Sequence, residues 1–267
     1  MRYYGNTWGT SKISQIQKIE SMFDLDYWKI KILFDLAWYC TAFLVTWFFY
    51  KKILRKDELP QPWKDLNQKN EYILYVIAWA MFGGMLISTF DGAMIPGRNP
   101  EWGILLSKSI AGALFGGVIT AEVYKYLHQI KIPTGILFLP WIVLWVLIGR
   151  LGAIVTGVRD FTYGLPTSLP WWIDFWDGII RHPTMIYEMI LLTIFFVIFL
   201  FWLYSKKRIW WIRNGFYVFI FTYFLYRFLV GFIQPYSHFW FWLSTYQVIA
   251  LPMCVYWGMM IKNYRIW

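Results

Sequence analysis

The chain has 267 residues, of which 59% are hydrophobic and 15% are charged, whereas a soluble domain is about half apolar and about one quarter charged. This balance excludes a disordered chain and argues against an ordinary soluble domain. The net charge of +10 would suggest a nucleic-acid partner for a soluble protein. Here the basic residues cluster in short loops between apolar runs, so we expect them to contact anionic lipid head groups and expect no nucleic acid.

Long apolar runs dominate the chain. A membrane helix needs about 20 mostly apolar residues, and about seven runs fit that need. In chain order they are Leu33–Tyr50, Tyr72–Phe90, Ile104–Tyr124, Gly135–Gly149, Met185–Tyr204, Gly215–Ile233 and Phe241–Ile261. The sequence therefore predicts an all-α polytopic membrane protein with one seven-helix domain over residues 32–267. Residues 1–31 are aromatic and polar, and we expect them to form a segment outside the membrane or along its surface.

The basic residues predict the orientation of these helices. Most of those between the runs lie in the first, third and fifth loops or in the C-terminal tail: Lys51, Lys52, Arg55, Lys56, Lys64, Lys69, Lys125, Lys131, Lys206, Lys207, Arg208, Arg213, Lys262 and Arg265. The opposite loops hold only Arg98, Arg150, Arg159 and Arg181. Because loops on the cytoplasmic side carry the excess of Lys and Arg, we predict an outer N-terminus and a cytoplasmic C-terminus.

The segment between the fourth and fifth runs, Gly149–Glu188, differs from the rest of the chain in its Gly, Pro, Thr, Asp and His content. A loop of about 30 residues in a compact protein is usually functional or disordered. Its prolines argue against disorder, and its tryptophans suit the membrane–water interface. We therefore predict an ordered outer loop over Arg150–Thr184 that carries the functional site.

The charged residues inside the apolar runs include Lys108, Glu122 and Arg227. A charge in the membrane interior costs at least about 2.5–3.5 kcal/mol, which makes it a functional candidate. Glu122 lies near one end of its run and could simply face water, and Lys108 could extend to the head groups. Arg227 lies deeper, which favours a functional role.

Arg150 and Arg181 flank the outer loop. With Arg227 they could hold a lipid phosphate, because the guanidinium fork matches phosphate oxygens. The alternative is that a loop arginine pairs with a loop aspartate and fixes the loop; the candidates are Asp160, Asp174 and Asp177. Spacing alone favours neither interpretation.

Glycines and a histidine complete the candidates. The glycines near the loop, Gly149, Gly152 and Gly157, allow close backbone approach to a ligand or helix. Those of the third run, Gly112, Gly116 and Gly117, indicate close helix packing. His182 could act as a general base or be structural. We expect no metal and no cofactor, because no ligand spacing links the three histidines.

Several motifs together resemble the prolipoprotein diacylglyceryl transferase family. In chain order they are GALFGG at 112–117, GRLG at 149–152, YGLPT at 163–167, RHPTMIYE at 181–188, YRFLVGFIQP at 226–235 and LSTYQVIALPM at 243–253. The resemblance covers roughly residues 104–262. It implies a seven-helix protein of the bacterial inner membrane with a periplasmic N-terminus.

The family moves a diacylglyceryl group from phosphatidylglycerol to the thiol of a lipobox cysteine in a prolipoprotein. The resemblance thus implies two partners, an anionic phospholipid such as phosphatidylglycerol and a prolipoprotein signal peptide. It also implies that a thiolate attacks the glycerol carbon that bears the phosphate, so that glycerol 1-phosphate leaves.

The matched motifs assign roles to residues. The lipid phosphate is assigned to Arg150, Arg181 and Arg227, to which we add Lys108 from the third run. For catalysis we expect Arg227, with His182 or Asp160 as the substitute proton acceptor. The supporting residues are Gly149, Gly152, Gly157, Tyr163, Tyr187, Glu188 and Gln247.

The chain also departs from the family pattern at polar positions. Two asparagines, an acidic residue, a histidine and a glutamate are replaced by Ala153, Thr156, Val158, Ala111 and Gly231 respectively. Asp160 could substitute for the acidic residue. Two hypotheses follow, a divergent transferase that remains active and a lipid-binding protein of the same fold that has lost catalysis. A secondary transporter is disfavoured, because the sequence has no internal repeat.

Overall fold

The computed structural model describes residues 33, 36–37, 40–41, 43–53, 66–94, 109–130, 132–157, 162–175, 177–236 and 242–263. The predicted N-terminal segment 1–31 and two predicted site residues, Lys108 and Asp160, lie outside the described residues.

The described part of the chain is mainly helical. Its six principal helices are α1 (Leu66–Met94), α2 (Ile110–Leu127), α3 (Leu139–Thr156), α4 (Thr184–Leu203), α5 (Arg208–Val230) and α6 (Thr245–Asn263). Residues 43–48 are also helical and run into a π-helical turn at Phe49–Ile53. Two short strands, β1 (Ile173–Asp174) and β2 (Ile180–Arg181), pair antiparallel in the loop between α3 and α4, with Ile173 opposite Arg181.

Three helical stretches among the described residues are long and apolar enough to cross a membrane. They are Gln68–Thr89, Thr184–Leu203 and Arg208–Ile233, and Leu139–Val155 is a shorter apolar helix. These helices are what a predominantly α-helical membrane protein requires. The seven spans and the orientation remain predictions.

The helix of the fourth apolar run begins and ends later than predicted. Because α3 covers Leu139–Thr156, the predicted start of the outer loop at Arg150 is wrong, and the loop begins at Gly157. The helix continues through Arg150 because this side chain is buried against Glu188, which balances its charge inside the bundle. Gly157 then ends the helix with a φ of 65°, a backbone conformation that favours glycine.

The third run also ends later than predicted. Since α2 extends to Leu127, Lys125 lies in the last turn of a helix and not in a loop. Its side chain is buried and pairs with Glu122 at 2.6 Å, so these two residues form a local ion pair. Glu122 was expected to face water and instead forms an ion pair with Lys125.

Helices α1 and α2 contact each other through glycines. A Cβ atom on Gly83 would lie 2.5 Å from the carbonyl oxygen of Gly112, and a Cβ atom on Gly112 would overlap the carbonyl oxygen of Gly83. Gly116 is equally close to the backbone at Trp79. The prediction that the glycines of the third run serve close helix packing is confirmed.

We expect Gly112→Ala to lower the stability of the protein by about 1–3 kcal/mol, because the methyl group would push the two backbones apart. Gly149→Ala is the matched control, since nothing lies within 4 Å of a Cβ atom at that helical position. The control should be neutral, or stabilise the helix by up to about 1 kcal/mol. Thermal unfolding of both variants in one detergent checks this, and equal melting temperatures would contradict it.

Candidate functional site

Three buried charged side chains from different helices meet at one end of the bundle. Nη2 of Arg150 donates to the Glu188 carboxylate, at 2.9 Å from Oε2 and 3.1 Å from Oε1. Nη1 of Arg227 lies 3.7 Å from the same Oε2. All three side chains are 6% exposed or less. They lie near the end of α3, the start of α4 and the end of α5, which is where the loop of β1 and β2 is attached.

This arginine cluster, defined as Arg150, Glu188 and Arg227, holds two guanidinium groups and one carboxyl group. A buried charge requires a compensating partner, and Glu188 lies closer to Arg150 than to Arg227. The guanidinium of Arg227 also lies over the ring of Tyr246 at 4.6 Å, a contact worth about 0.5–2 kcal/mol. Among the described residues, no acceptor forms a hydrogen bond with Nε of Arg227. The arrangement therefore favours an additional anion.

Arg181 makes its contacts within the loop. It donates to Asp177 at 2.6 Å and to the carbonyl oxygen of Ile179 at 3.2 Å, and it lies over the ring of Tyr163 at 4.7 Å. Asp174 accepts from the backbone N–H groups of Asp177 and Gly178. Arg181 therefore pairs with a loop aspartate, as in the alternative in which such a pair fixes the loop. Arg150 pairs instead with Glu188.

The hydrogen bond from Arg181 lowers the pKa of the Asp177 carboxyl from its ordinary value, because it stabilises the charged form. A carboxyl group with a lowered pKa in the folded state stabilises the fold above its unfolded pKa. This contribution is lost as the pH falls through the folded pKa. We therefore expect the turn at Gly178 to open at acidic pH. Hydrogen exchange of its amides, corrected for intrinsic rates, checks this. Asp177→Asn should exchange faster at neutral pH and lose the extra acid sensitivity, and an unchanged profile would contradict the expectation.

His182 and Tyr187 form a second polar group beside the loop. The indole N–H of Trp171 donates to the hydroxyl of Tyr187 at 2.8 Å, and this hydroxyl lies 3.2 Å from Nδ1 of His182. His182 and Tyr187 are half-buried. Nε2 of His182 can accept a proton when Nδ1 carries the ring hydrogen. This Nδ1–H group then donates a hydrogen bond to the hydroxyl oxygen of Tyr187. Tyr187 can therefore orient the imidazole as a base.

The loop is tied to the helices by hydrogen bonds to one carbonyl group. The Thr162 carbonyl oxygen accepts from the Thr184 hydroxyl at 2.5 Å and from the Gln234 side chain at 3.1 Å. Close packing reinforces this, since a Cβ atom on Gly164 would lie 2.5 Å from Cβ of His182. Sequence reasoning did not single out Gln234 or Tyr246, although both lie in motifs that it quoted. Their roles depend on contacts with distant parts of the chain.

Gln247 supports the start of α6. Its side-chain oxygen accepts from the backbone N–H of Ser244 at 2.9 Å, as the third helical residue does in a capping box. Its amide donates to the carbonyl oxygen of Phe228 at 3.1 Å. A Cβ atom on Gly231 would lie 2.7 Å from Gln247, so a larger residue at Gly231 would displace this side chain.

Gly149, Gly152 and Ala153 of α3 have different surroundings. Ala153 packs in an apolar cluster with Phe175 and Met185. Gly149 has open space around it, whereas Gly152 is half-buried in α3. The structure thus joins Arg150, Glu188 and Arg227 directly, and places Arg181, His182 and Tyr187 in or beside the adjoining loop.

Comparison with known proteins gives a consistent family. The family described as prolipoprotein diacylglyceryl transferase matches residues 27–262. Proteins named phosphatidylglycerol–prolipoprotein diacylglyceryl transferase are similar to the chain in several bacteria. The one from Aeromonas salmonicida is 27% identical over 85% of each chain. The one from Nitratidesulfovibrio vulgaris is 32% identical over 46% of this chain and 43% of its own. The match to the Coxiella burnetii protein is 27% identical and spans 60% of each chain.

Proposed function

The chain belongs to the prolipoprotein diacylglyceryl transferase family, and from this premise we propose that it is an inner-membrane diacylglyceryl transferase. Its donor is phosphatidylglycerol or another anionic phospholipid, and its acceptor is a lipobox cysteine thiol in a prolipoprotein signal peptide. The observation that carries the proposal is the buried arginine cluster, in which two guanidinium groups share one carboxylate. A phosphodiester oxygen would accept from Nε of Arg227, for which the described residues supply no acceptor.

The proposed topology places this cluster near the outer face. Residues 32–267 form one seven-helix domain, residues 1–31 lie on the periplasmic side or at the membrane surface, and the C-terminus is cytoplasmic. The positive-inside pattern of the loops supports this orientation. In this orientation the phospholipid would come from the outer leaflet, and the peptide would approach from the periplasmic side.

The chemistry assigned to the site is a substitution at carbon. The cysteine sulfur forms a bond to the glycerol carbon that bears the phosphate. The bond from that carbon to the phosphate oxygen breaks, and glycerol phosphate leaves with the electron pair. The arginines stabilise the negative charge on the departing phosphate, a type of contribution that is typically large. The thiol proton goes to a base, for which His182 and Asp160 are the candidates. Arg181 and Lys108 would add positive charge for the lipid phosphate.

A non-catalytic lipid-binding protein is the second candidate. Two observations favour it, the apolar surroundings of Ala153 and the close contact of Gly231 with Gln247. Both lie at positions where polar family residues are replaced. Such a protein would retain phospholipid on Arg150 and Arg227 without turnover.

Complementation distinguishes the two candidates. The chain is expressed in a bacterium depleted of its own diacylglyceryl transferase, and the mobility and lipid mass of a reporter prolipoprotein are followed. Rescue by the wild type and its loss in His182→Ala would support the transferase with a histidine base. Stable insertion and retained phospholipid without any reporter modification would instead favour the lipid-binding protein.

A further inference from the structure

A cavity of about 400 Å³ lies between α1, α2, α3 and α5, away from the arginine cluster. At α3 its lining runs from Phe138 to Trp145, and Arg150 follows five residues later, about 7.5 Å further along the helix. The lining includes none of Arg150, Glu188 and Arg227. Its volume is within the range of small-molecule sites, about 300–1,000 Å³. The cavity and the arginine cluster are therefore separate features of the same bundle.

The cavity is elongated and mostly apolar. Its lining along α1 runs from Tyr72 to Gly84, a distance of about 18 Å in a helix. Small residues of the two helices, among them Ala80, Ala113 and Gly117, keep this length open. One leaflet of the hydrocarbon core is about 15 Å thick, so the apolar part has the dimension of an acyl chain.

The polar groups of the cavity lie together at one end. Nζ of Lys125 is 2.6 Å from Oε1 of Glu122, and the hydroxyl groups of Tyr72 and Thr134 form a hydrogen bond of 2.6 Å. The Lys125 side chain is 8% exposed and that of Glu122 27%. A lysine ammonium has three donors, and Glu122 accounts for one of them. This end thus presents one positive and one negative group to an incoming ligand.

The cavity opens sideways toward the lipid-facing surface. Ile77 and Met81 of α1 line it and are 40% and 57% exposed. A ligand with an acyl chain can therefore enter from the bilayer without crossing the bundle.

We infer that this cavity binds a phospholipid with a zwitterionic head group that carries an amine, as in phosphatidylethanolamine. The phosphate accepts from Lys125, the ammonium donates to Glu122, and an acyl chain occupies the apolar length toward Gly84. The paired charges of the protein match the paired charges of this head group, whereas an anionic head group would leave Glu122 facing negative charge. The inference does not depend on the proposed transferase activity.

The test uses the full-length protein, delipidated in detergent. Its thermal unfolding is followed after addition of dioleoyl-phosphatidylethanolamine, dioleoyl-phosphatidylglycerol or dioleoylglycerol. We expect phosphatidylethanolamine to raise the melting temperature more than the other two lipids do, because it binds in this cavity. Ala121→Phe, which places a ring in the cavity next to Glu122, should abolish this shift. Glu122→Gln should remove the preference for phosphatidylethanolamine.

Ile119→Phe is the matched control. It introduces the same ring two residues earlier in α2, at a residue that is 42% exposed and does not line the cavity, and it should keep the wild-type shift. An equal response of wild type and Ala121→Phe to phosphatidylethanolamine would overturn the inference. A wild-type preference for phosphatidylglycerol that Ala121→Phe removes would overturn the assignment of a zwitterionic head group.

Discussion

Glu188→Ala is expected to lower the free energy of unfolding by about 3–5 kcal/mol, because it removes the carboxylate from between two buried arginines. Glu188 is 2% exposed and contacts both Arg150 and Arg227. Without it, the two guanidinium groups would repel each other with little access to water. Thermal unfolding in detergent measures the loss. Glu71→Ala, which removes an exposed carboxylate on α1, is the control and should change stability by less than about 1 kcal/mol.

A double variant separates charge from packing. If the loss in Glu188→Ala comes from the uncompensated positive charges, Glu188→Ala combined with Arg227→Ala should recover part of the stability. Such non-additivity is the signature of interacting residues. Strictly additive losses would show that Glu188 contributes only packing and would contradict a charge-balanced cluster.

The residues of the cluster differ in how far sequence alone could predict them. A charge deep in an apolar run is costly, and this cost identified Arg227 as a functional candidate. Arg150 was instead predicted as the first residue of the outer loop, whereas it lies inside α3. Its partner Glu188 is 38 residues away in sequence, and an ion pair between distant residues leaves no local signal. The end of the helix is instead at Gly157.

The loop shows the same limit. Its order was predicted from its prolines and tryptophans, and β1 and β2 pair within it. Whether Arg181 would bind a ligand or an aspartate could not be predicted, because both use the same guanidinium donors. The short turn that presents Asp177 to it decides the question. The packing role of the glycines of α2 was easier to predict, because small residues at regular spacing in an apolar helix indicate a close helix contact.

Arg227 offers the sharpest test of the proposed lipid clamp. Because Arg150 is the closer partner of Glu188, Arg227→Ala should leave a neutral buried pair and keep the fold. It should nevertheless lower diacylglyceryl transfer by about 100-fold or more, the cost of one donor that stabilises developing negative charge. Arg227→Lys should recover only part of the rate, because an ammonium lacks the planar fork.

Arg150→Ala should lower both transfer and stability, since it also leaves Glu188 without its nearest partner. Arg213→Ala, which removes an exposed arginine at the other end of α5, is the matched control and should change neither. The measurements are the initial rate of transfer to a lipobox peptide and the phosphatidylglycerol retained by the purified protein. If Arg227→Ala folds and keeps both quantities at wild-type values, the phosphate does not lie on Arg227. If it loses transfer but still retains phosphatidylglycerol, Arg227 acts on the leaving group and not on binding, since a residue needed only in the transition state changes rate without changing affinity.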